Sequence, residues 1–256
     1  HTEGSVDLVK LSGKIPAAVI CEVMNEDGTM ARGDDLKIIS EKYNMPIVSI
    51  EDIIAYRMAK ENLIEKVVET NLPTTYGDFK VIGFRSKVDQ SEPIALIKGK
   101  ISKNNTTLVR VHSECTTGDL FGSVKCDCGD QLDMALEQIS KAESGVFLYM
   151  RQEGRGIGLI NKLKAYKLQD EGMDTVDANL KLGFPMDLRS YGIGAQILRS
   201  LGIKKFDLLT NNPKKVVGLE GFGLEINSTK KITAKKRPQN KKYIETKVEK
   251  MGHEIE

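Results

Sequence analysis

Short apolar runs alternate with amphipathic stretches along this chain, which is the pattern of an α/β protein. The apolar runs predict buried strands at 17–23, 46–50, 106–114, 145–150, 204–210 and 224–227. Apolar residues spaced three and four apart predict helices at 34–44, 51–57, 129–142, 159–172, 190–202 and 211–221. Asp34 or Asp35 is the predicted cap of the first helix, and the charged stretch 239–256 is predicted to be a helix or a tail.

Residues 68–86 and 92–101 alternate between apolar and polar positions, which predicts antiparallel strands joined by polar turns. After residue 145 the pattern becomes one of strands and helices in alternation. The predicted fold is therefore α/β (α+β). It has a mixed sheet, with antiparallel strands first and α/β alternation after them, and a truncated α/β segment precedes it. The predicted boundaries are 1–57 for that segment, 58–63 for a linker and 64–256 for the main domain.

Composition narrows the function classes. Hydrophobic residues make up 40% and charged residues 29%, which is typical of a soluble globular protein. Trp is absent and aromatic residues are only 5%, which argues against a base-stacking surface, so we expect no nucleic-acid partner. No apolar run approaches the ~20 residues that span a bilayer, so we expect no membrane partner. Four cysteines, of which three are clustered, favour a reducing compartment, by default the cytoplasm, although the start HTEGSVDL reads like an internal fragment.

Cys115, Cys126 and Cys128 carry the clearest chemistry. Their spacing is Cys-x10-Cys-x-Cys, and Cys21 is the other cysteine of the chain. Three thiolates without an obvious fourth ligand suggest zinc with one open position, which is the arrangement of a catalytic site. A redox-active group, or a structural site closed by His112 or Cys21, is the alternative. Outside such a site, Cys21 is expected to be an ordinary buried thiol.

Three polar clusters accompany the cysteines. RQEGRGIG at 151–158 lies between a strand and a helix and is either a phosphate-binding loop or a Gly-rich turn. Asp187 and Arg189 are either site residues or an exposed ion pair worth ~0–1 kcal/mol. LLTNNPKK follows a strand and either faces a ligand or only starts a helix, because Asn-Pro caps helices well.

Together these motifs resemble GTP cyclohydrolase II. The resemblance rests on RVHSEC, the cysteine spacing, CDCG, RQEGRGIGL, AYKLQDEGMDTVDAN, DLRSYGIGAQIL, LLTNNPKK and TKVEKMGH, and it covers about residues 64–254. The first segment, with HTEGSVDLVKLSG and PAAVICEVMNEDGTMAR, resembles the C-terminal part of 3,4-dihydroxy-2-butanone 4-phosphate synthase. The two enzymes are commonly fused in riboflavin biosynthesis.

The resemblance implies a zinc-dependent hydrolysis of GTP to 2,5-diamino-6-(5-phosphoribosylamino)pyrimidin-4-one, formate and pyrophosphate, in a homodimer. Cys115, Cys126 and Cys128 would hold zinc, and Mg²⁺ would accompany the triphosphate. Asp187 would be the proton acceptor, Arg189 the nucleophile toward the α-phosphate, and Tyr166 would lie near the attacked base. The implied GTP contacts are Arg110, Val111, His112, Ser113, Glu114, Gln131, Glu153, Gly154, Arg155, Thr175, Thr210 and Lys215. Among them, Glu153 is our candidate for reading guanine.

For the first segment, the resemblance implies only part of a site. His1 matches a Mg²⁺ position of the synthase, and Thr2 and Glu22 match residues of its site, but the other acidic ligands of that family lie upstream. A site without half of its ligands should not catalyse, so we predict no synthase activity from this chain. The alternative for the main domain is a nucleotide-binding module with structural zinc and no catalysis, against which the intact DLR and EGR segments argue.

Overall fold

A computed structural model of the chain describes residues 1–102, 106–189 and 191–255. Its residues form two compact units, residues 1–61 and the part of the chain from Asn62 onward. Within the described ranges, no helix combines the length and the apolar character that crossing a membrane requires. The predicted domain boundaries stay a prediction.

The first unit is built from helices α1 (Thr2–Leu11), α2 (Asp34–Tyr43) and α3 (Ile50–Lys60). α3 begins with a capping box, in which Ser49 and Asp52 each bind the other's backbone N–H. α1 packs on α3 at Gly4, where an added Cβ would lie 2.5 Å from Ile50 Cδ1. α2 and α3 confirm two predicted helices, but Gly33 takes the N-cap of α2 in place of the predicted Asp34 or Asp35.

The strand predictions at 17–23 and 46–50 are wrong. In the described part of this unit the only β pairing is an isolated bridge between Met24 and Met30. Residues 17–23 are exposed, and so is Cys21, which corrects the expectation of a buried thiol. An apolar run becomes a buried strand only where other strands pair with its backbone and other elements cover its faces, and no described segment of this unit does so.

The second unit is a seven-stranded mixed sheet with the strand order β1-β2-β3-β5-β4-β6-β7. The strands are β1 (Ile64–Thr74), β2 (Gly77–Ser86), β3 (Ile94–Lys98), β4 (Thr107–Ser113), β5 (Gly145–Met150), β6 (Lys205–Leu209) and β7 (Glu225–Lys230). β1, β2, β3 and β5 pair antiparallel, whereas β5, β4, β6 and β7 pair parallel. The sheet confirms the predicted fold class, with antiparallel strands first.

Helices flank this sheet. They are α4 (Cys128–Lys141), α5 (Leu159–Asp170), α6 (Thr175–Lys181), α7 (Gly192–Ser200), α8 (Pro213–Glu220) and α9 (Lys241–Glu249). The sequence pattern did not predict α6, which begins where the Asp174 carboxylate accepts hydrogen bonds from two backbone N–H groups. α8 begins as predicted, with Asn212 accepting from Lys214 N at 3.0 Å and Pro213 in the first turn. Ser190, part of the predicted helix 190–202, lies outside the described residues.

The parallel half of the sheet positions the site. Phe147 and Leu148 of β5 and Val109 of β4 are almost fully buried, which makes this half a rigid base. β4, β5 and β6 run parallel, so their carboxyl ends meet at one edge. The chain leaves that edge at Cys115, at the RQEGRGIG loop and at Thr210. Ligands of open α/β sheets bind at such an edge.

Candidate active site

Three sulfur atoms form a compact triangle at this edge. Cys115 follows β4, while Cys126 and Cys128 lie at the start of α4, and the three Sγ atoms lie within 4.8 Å of one another. Cys115 Sγ and Cys126 Sγ are 3.7 Å apart. Zinc–thiolate bonds of about 2.3 Å in a tetrahedron place the sulfurs about 3.8 Å apart. The geometry and the donor atoms therefore fit a zinc ion.

A π-helical turn, Thr116–Leu120, holds the triangle from one side. Gly118 lies in this turn, and an added Cβ there would be 3.1 Å from both Cys115 Sγ and Cys126 Sγ. Gly129 approaches the same turn so closely that its Cβ would lie 2.6 Å from the Gly118 carbonyl oxygen. Glycines at these two positions leave the room that the sulfur atoms occupy.

His112 is engaged elsewhere, because its Nε2 lies 3.1 Å from each carboxylate oxygen of Asp119. Asp119 also accepts from Cys115 N at 2.9 Å and from the Tyr149 hydroxyl at 3.0 Å, which ties β4 and β5 to the turn. Cys21 belongs to the first unit. Across the described ranges, the three cysteines are the one group of three or more His, Cys, Asp or Glu side chains arranged to hold an ion. The structure thus gives no support to closure of the site by His112 or Cys21.

Lys162 of α5 is a buried cation beside the triangle that the sequence analysis missed. Its Nζ donates to Cys115 Sγ at 3.0 Å and to Glu153 Oε1 at 2.8 Å. Hydrogen bonds from the Cys126 and Cys128 thiols, together with this ammonium, hold the pKa of Cys115 well below its ordinary value. Three thiolates exceed the charge of a zinc dication by one, and the Lys162 ammonium offsets that excess. The three lysines of NKLKAYK gave no sign of which one faces inward.

Tyr166 lies one turn further along α5. Its hydroxyl is 3.2 Å from Thr117 Oγ1, which in turn is 3.7 Å from Cys115 Sγ. Burial, and after it the charge of the nearby sulfurs, raises the pKa of Tyr166. The phenol therefore stays protonated and can donate a hydrogen bond near the sulfur triangle.

The RQEGRGIG loop has an unusual backbone. Gly154 and Arg155 take φ values of 59° and 63°, so a non-glycine residue sits in the left-handed region. Glu153 holds the loop by accepting from Thr116 N at 2.6 Å, from Gly154 N at 2.8 Å and from Lys162 Nζ at 2.8 Å. The Nη1 atom of Arg155 is buried and has no hydrogen-bond partner, so it is available to a ligand.

Arg110 extends from β4 into the same space. Its Nη1 donates to the Leu209 carbonyl at 2.9 Å and its Nη2 to Gln131 Oε1 at 2.6 Å, while its buried Nε has no partner. Burial lowers the pKa of Arg110 to about 10, so the guanidinium stays charged at neutral pH. A buried charged group with an unused donor points to an anionic ligand.

Lys215 of α8 is buried next to these groups. Its Nζ donates to the Val111 carbonyl at 2.9 Å. Burial, with the positive charges of Arg110, Arg189 and Lys247, lowers the pKa of Lys215 well below its ordinary value. Cations that destabilise one another in this way are the expected state of an anion site without its anion.

Asp187 and Arg189 form a partly buried ion pair. Arg189 Nε donates to Asp187 Oδ1 at 2.8 Å, Arg189 Nη2 donates to Oδ2, and the Arg189 backbone N–H adds a third bond of 3.0 Å. Burial raises the pKa of Asp187, but Arg189 outweighs it and holds that pKa below its ordinary value. The pair is therefore a fixed unit and not the exposed ion pair that the sequence left open.

These groups line one open pocket. The structure brings together nearly all of the residues predicted to contact GTP or zinc, with Tyr166 and Arg189. The Val111 side chain and Asp187 are outside the lining; Val111 contributes its carbonyl, and Asp187 acts through Arg189. Lining residues that sequence reasoning missed include Lys162, Gln169, Asn179, Tyr243, Lys247 and His253.

The residues assigned to a second site do not gather in this way. His1 caps α1, and His1, Thr2 and Glu22 are all exposed. None of them belongs to a metal-binding group within the residues that the structure describes.

The chain is similar to known proteins along almost its whole length. The riboflavin biosynthesis protein RibBA of Bacillus cytotoxicus is 57% identical over 253 residues, and that of Bacillus mycoides is 56% identical over the same length. Each alignment covers 99% of this chain and 64% of the relative, so the chain spans less than two thirds of their length.

A crystal structure of RibBX, described as a two-domain 3,4-dihydroxy-2-butanone 4-phosphate synthase from A. baumannii, is similar in fold. The TM-score is 0.63 at 32% identity, and the match covers 90% of this chain and 59% of that one. Residues 1–56 match the sequence model of 3,4-dihydroxy-2-butanone 4-phosphate synthase. Residues 65–231 match the sequence model of GTP cyclohydrolase II. They contain the sulfur triangle and the residues Arg110, Arg155 and Lys215, which we call the cationic wall. The chain belongs to the GTP cyclohydrolase II family.

Proposed function

We propose that the second unit hydrolyses GTP to 2,5-diamino-6-(5-phosphoribosylamino)pyrimidin-4-one, formate and pyrophosphate, as the first step of riboflavin biosynthesis. One observation carries the proposal: a three-thiolate group and a set of buried, incompletely paired cations line the same pocket. Hydrolysis at purine C8 calls for the first group, and a triphosphate calls for the second. A structural-zinc module without catalysis would not need both.

The cationic wall would bind the triphosphate, with Mg²⁺ on its oxygens. Arg110 and Arg155 each hold a buried nitrogen without a partner. Lys215 is a cation whose positive neighbours disfavour its charge. A polyanion would supply the missing hydrogen bonds and relieve the repulsion among these groups.

Arg189 would act on the α-phosphate. In the proposed step a guanidinium nitrogen forms a bond to the α-phosphorus, and the bond from phosphorus to the pyrophosphate oxygen breaks. Water then cleaves the nitrogen–phosphorus bond, which restores Arg189 and leaves the phosphate on the product. Asp187 would take the guanidinium proton, and the hydrogen bonds that both of its oxygens accept from Arg189 support this role. Burial alone would lower the pKa of Arg189, but the hydrogen bond to Asp187 outweighs it and raises that pKa, so attack depends on this transfer.

The sulfur triangle would face the purine. Cys115, Cys126 and Cys128 would hold zinc, which would supply activation of water at neutral pH. Tyr166 keeps its proton and can donate to an oxygen that gains charge at C8. Lys162 stabilises the thiolate of Cys115 and fixes Glu153.

Glu153 remains our candidate for reading the guanine N1–H and N2–H₂ groups, although its two oxygens already accept three hydrogen bonds. Guanine would therefore have to use the remaining lone pairs or displace one of the donors. Unchanged preference for GTP over ATP in a Glu153→Gln variant would remove this assignment.

The direct test is to incubate the chain with GTP, Mg²⁺ and Zn²⁺ and to measure formate, pyrophosphate and the diaminopyrimidine separately. We expect the three products in equal amounts, and loss of formate after zinc is removed by a chelator and the protein is exchanged into metal-free buffer. Absence of formate and pyrophosphate from a protein with bound zinc would contradict the proposal. Assembly as a homodimer, proposed from the family resemblance, and a cytoplasmic location, proposed from the cysteine usage, are separate from this test.

A further inference from the structure

The C-terminal part of the chain forms one wall of the pocket. Its helix α9 lies beyond residues 65–231, which match the family model. Tyr243, Lys247 and His253 line the pocket. The segment is anchored at both ends, because Arg237 pairs with Asp130 of α4 and Glu254 N donates to the Asn211 carbonyl at 2.9 Å.

Lys247 connects this wall to the cysteine loop. Its Nζ donates to Asp127 Oδ1 at 2.6 Å and to Oδ2 at 2.9 Å, with 8% of the lysine side chain and 3% of the aspartate side chain exposed. Asp127 lies between Cys126 and Cys128 in the sequence. A bidentate, buried ammonium–carboxylate contact at that residue fixes the position of the segment that carries two of the three sulfurs.

The contact continues toward the cationic wall. Asp127 Oδ2 also accepts from Gln131 Nε2 at 2.8 Å, and Gln131 Oε1 accepts from Arg110 Nη2 at 2.6 Å. Because the carboxylate takes the amide N–H, the amide oxygen must face Arg110. A continuous buried chain of hydrogen bonds therefore runs from Lys247 through Asp127 and Gln131 to Arg110.

Tyr243 gives α9 a second contact with the site. Its hydroxyl lies 3.4 Å from Arg155 Nη2, and the Arg155 guanidinium lies 5.9 Å from the centre of its ring. Lys247 Nζ lies 5.0 Å from the same ring. These contacts restrain Arg155 while its Nη1 keeps no partner.

We propose that α9 is part of the active site and that Lys247 is a positioning residue, which holds the cysteine loop and Arg110 in register through Asp127. This inference rests on the proposed cyclohydrolase function. A buried ion pair can instead serve stability alone, and removal of one partner then lowers stability without changing the site.

The test compares full-length Lys247→Met with Lys241→Met, the same change at an exposed position of α9. Each protein is loaded with Co²⁺ in place of zinc, and its visible d–d and thiolate-to-metal bands are recorded. Formate release is measured on the zinc-loaded proteins, and thermal unfolding shows the temperature range in which each is folded. For Lys247→Met we expect altered cobalt bands and a fall of about 10-fold or more in kcat, which is the size typical of residues that support metal ligands. For Lys241→Met we expect neither change.

If Lys247→Met does not fold, the double variant Asp127→Asn/Lys247→Met decides, because it leaves no unpaired buried charge. Unchanged cobalt bands with unchanged kcat in a folded variant would overturn the proposal, even if its unfolding temperature falls. The cobalt spectrum needs no turnover. An inactive wild-type protein would therefore contradict the proposed function, whereas the spectrum would still decide the role of Lys247.

Discussion

Lys215 shows at the scale of one residue which kind of ligand the pocket suits. Its ammonium has one backbone acceptor and lies among Arg110, Arg189 and Lys247, whose charges add to burial in lowering its pKa. A bound triphosphate would reverse the sign of that local field and raise the pKa toward or above the ordinary lysine value of about 10.4. Between the two pKa values, Lys215 is neutral in the free protein and charged in the complex.

Binding of a GTP analogue with a methylene bridge between the α- and β-phosphorus should therefore take up protons in that pH window. Calorimetry in buffers of different ionisation enthalpy measures the number taken up. Affinity should fall as the pH rises through the pKa of Lys215 in the complex. Lys215→Met should lose the uptake, while Lys214→Met, an exposed neighbour, should keep it. Equal uptake by wild type and Lys215→Met would show that Lys215 does not titrate on binding.

Single residues were predictable where spacing or motif carried the information. The spacing of the cysteine triad indicated a metal site, whereas the spacing of Asp187 and Arg189 left an exposed ion pair open and the family resemblance assigned the pair to the site. Lys162 and Lys247 were not found, because each is one of several lysines on a charged helix. Only the fold decides which ammonium faces a sulfur or a carboxylate, since the same residue on the outer face would be solvated.

At the scale of elements, prediction succeeded for strands that are buried on both faces and for helices that are buried on one face along their whole length. β5 is apolar along its length because the sheet is covered on both faces there. The amphipathic pattern of α4 likewise gave that helix. The π-helical turn at 116–120 and the left-handed backbone at 154–155 were not predictable, because they are maintained by backbone N–H groups that donate to the carboxylates of Asp119 and Glu153. These two irregular elements carry the site.

The run at 17–23 failed for the opposite reason. Its apolar composition suits a strand, but Val19 is 99% exposed and the described part of its unit offers no strand to pair with it. The local sequence pattern gives the tendency of a segment to form a strand, whereas the strands that pair with it and the elements that cover it come from other parts of the fold.

At the scale of the whole molecule, the two units differ in whether their predicted site residues lie together. His1, Thr2 and Glu22 are exposed in the first unit and belong to no metal-binding group among the residues described. The purified chain, incubated with ribulose 5-phosphate and Mg²⁺, should therefore form no 3,4-dihydroxy-2-butanone 4-phosphate. Formation of that product above a metal-free control would show that the first unit retains a working site.

In the proposed function the second unit carries out two reactions in one pocket, and these two reactions should be separable by mutation. In Cys126→Ser the zinc site loses one of three thiolates, while Asp187, Arg189 and the cationic wall keep their contacts. The decisive measurement is the ratio of formate to pyrophosphate released from GTP by this variant, with wild type and Cys21→Ser, an exposed cysteine, as controls. We predict that the variant releases pyrophosphate and almost no formate, whereas both controls release equal amounts. Formate release at the wild-type rate would contradict a catalytic role of the three cysteines.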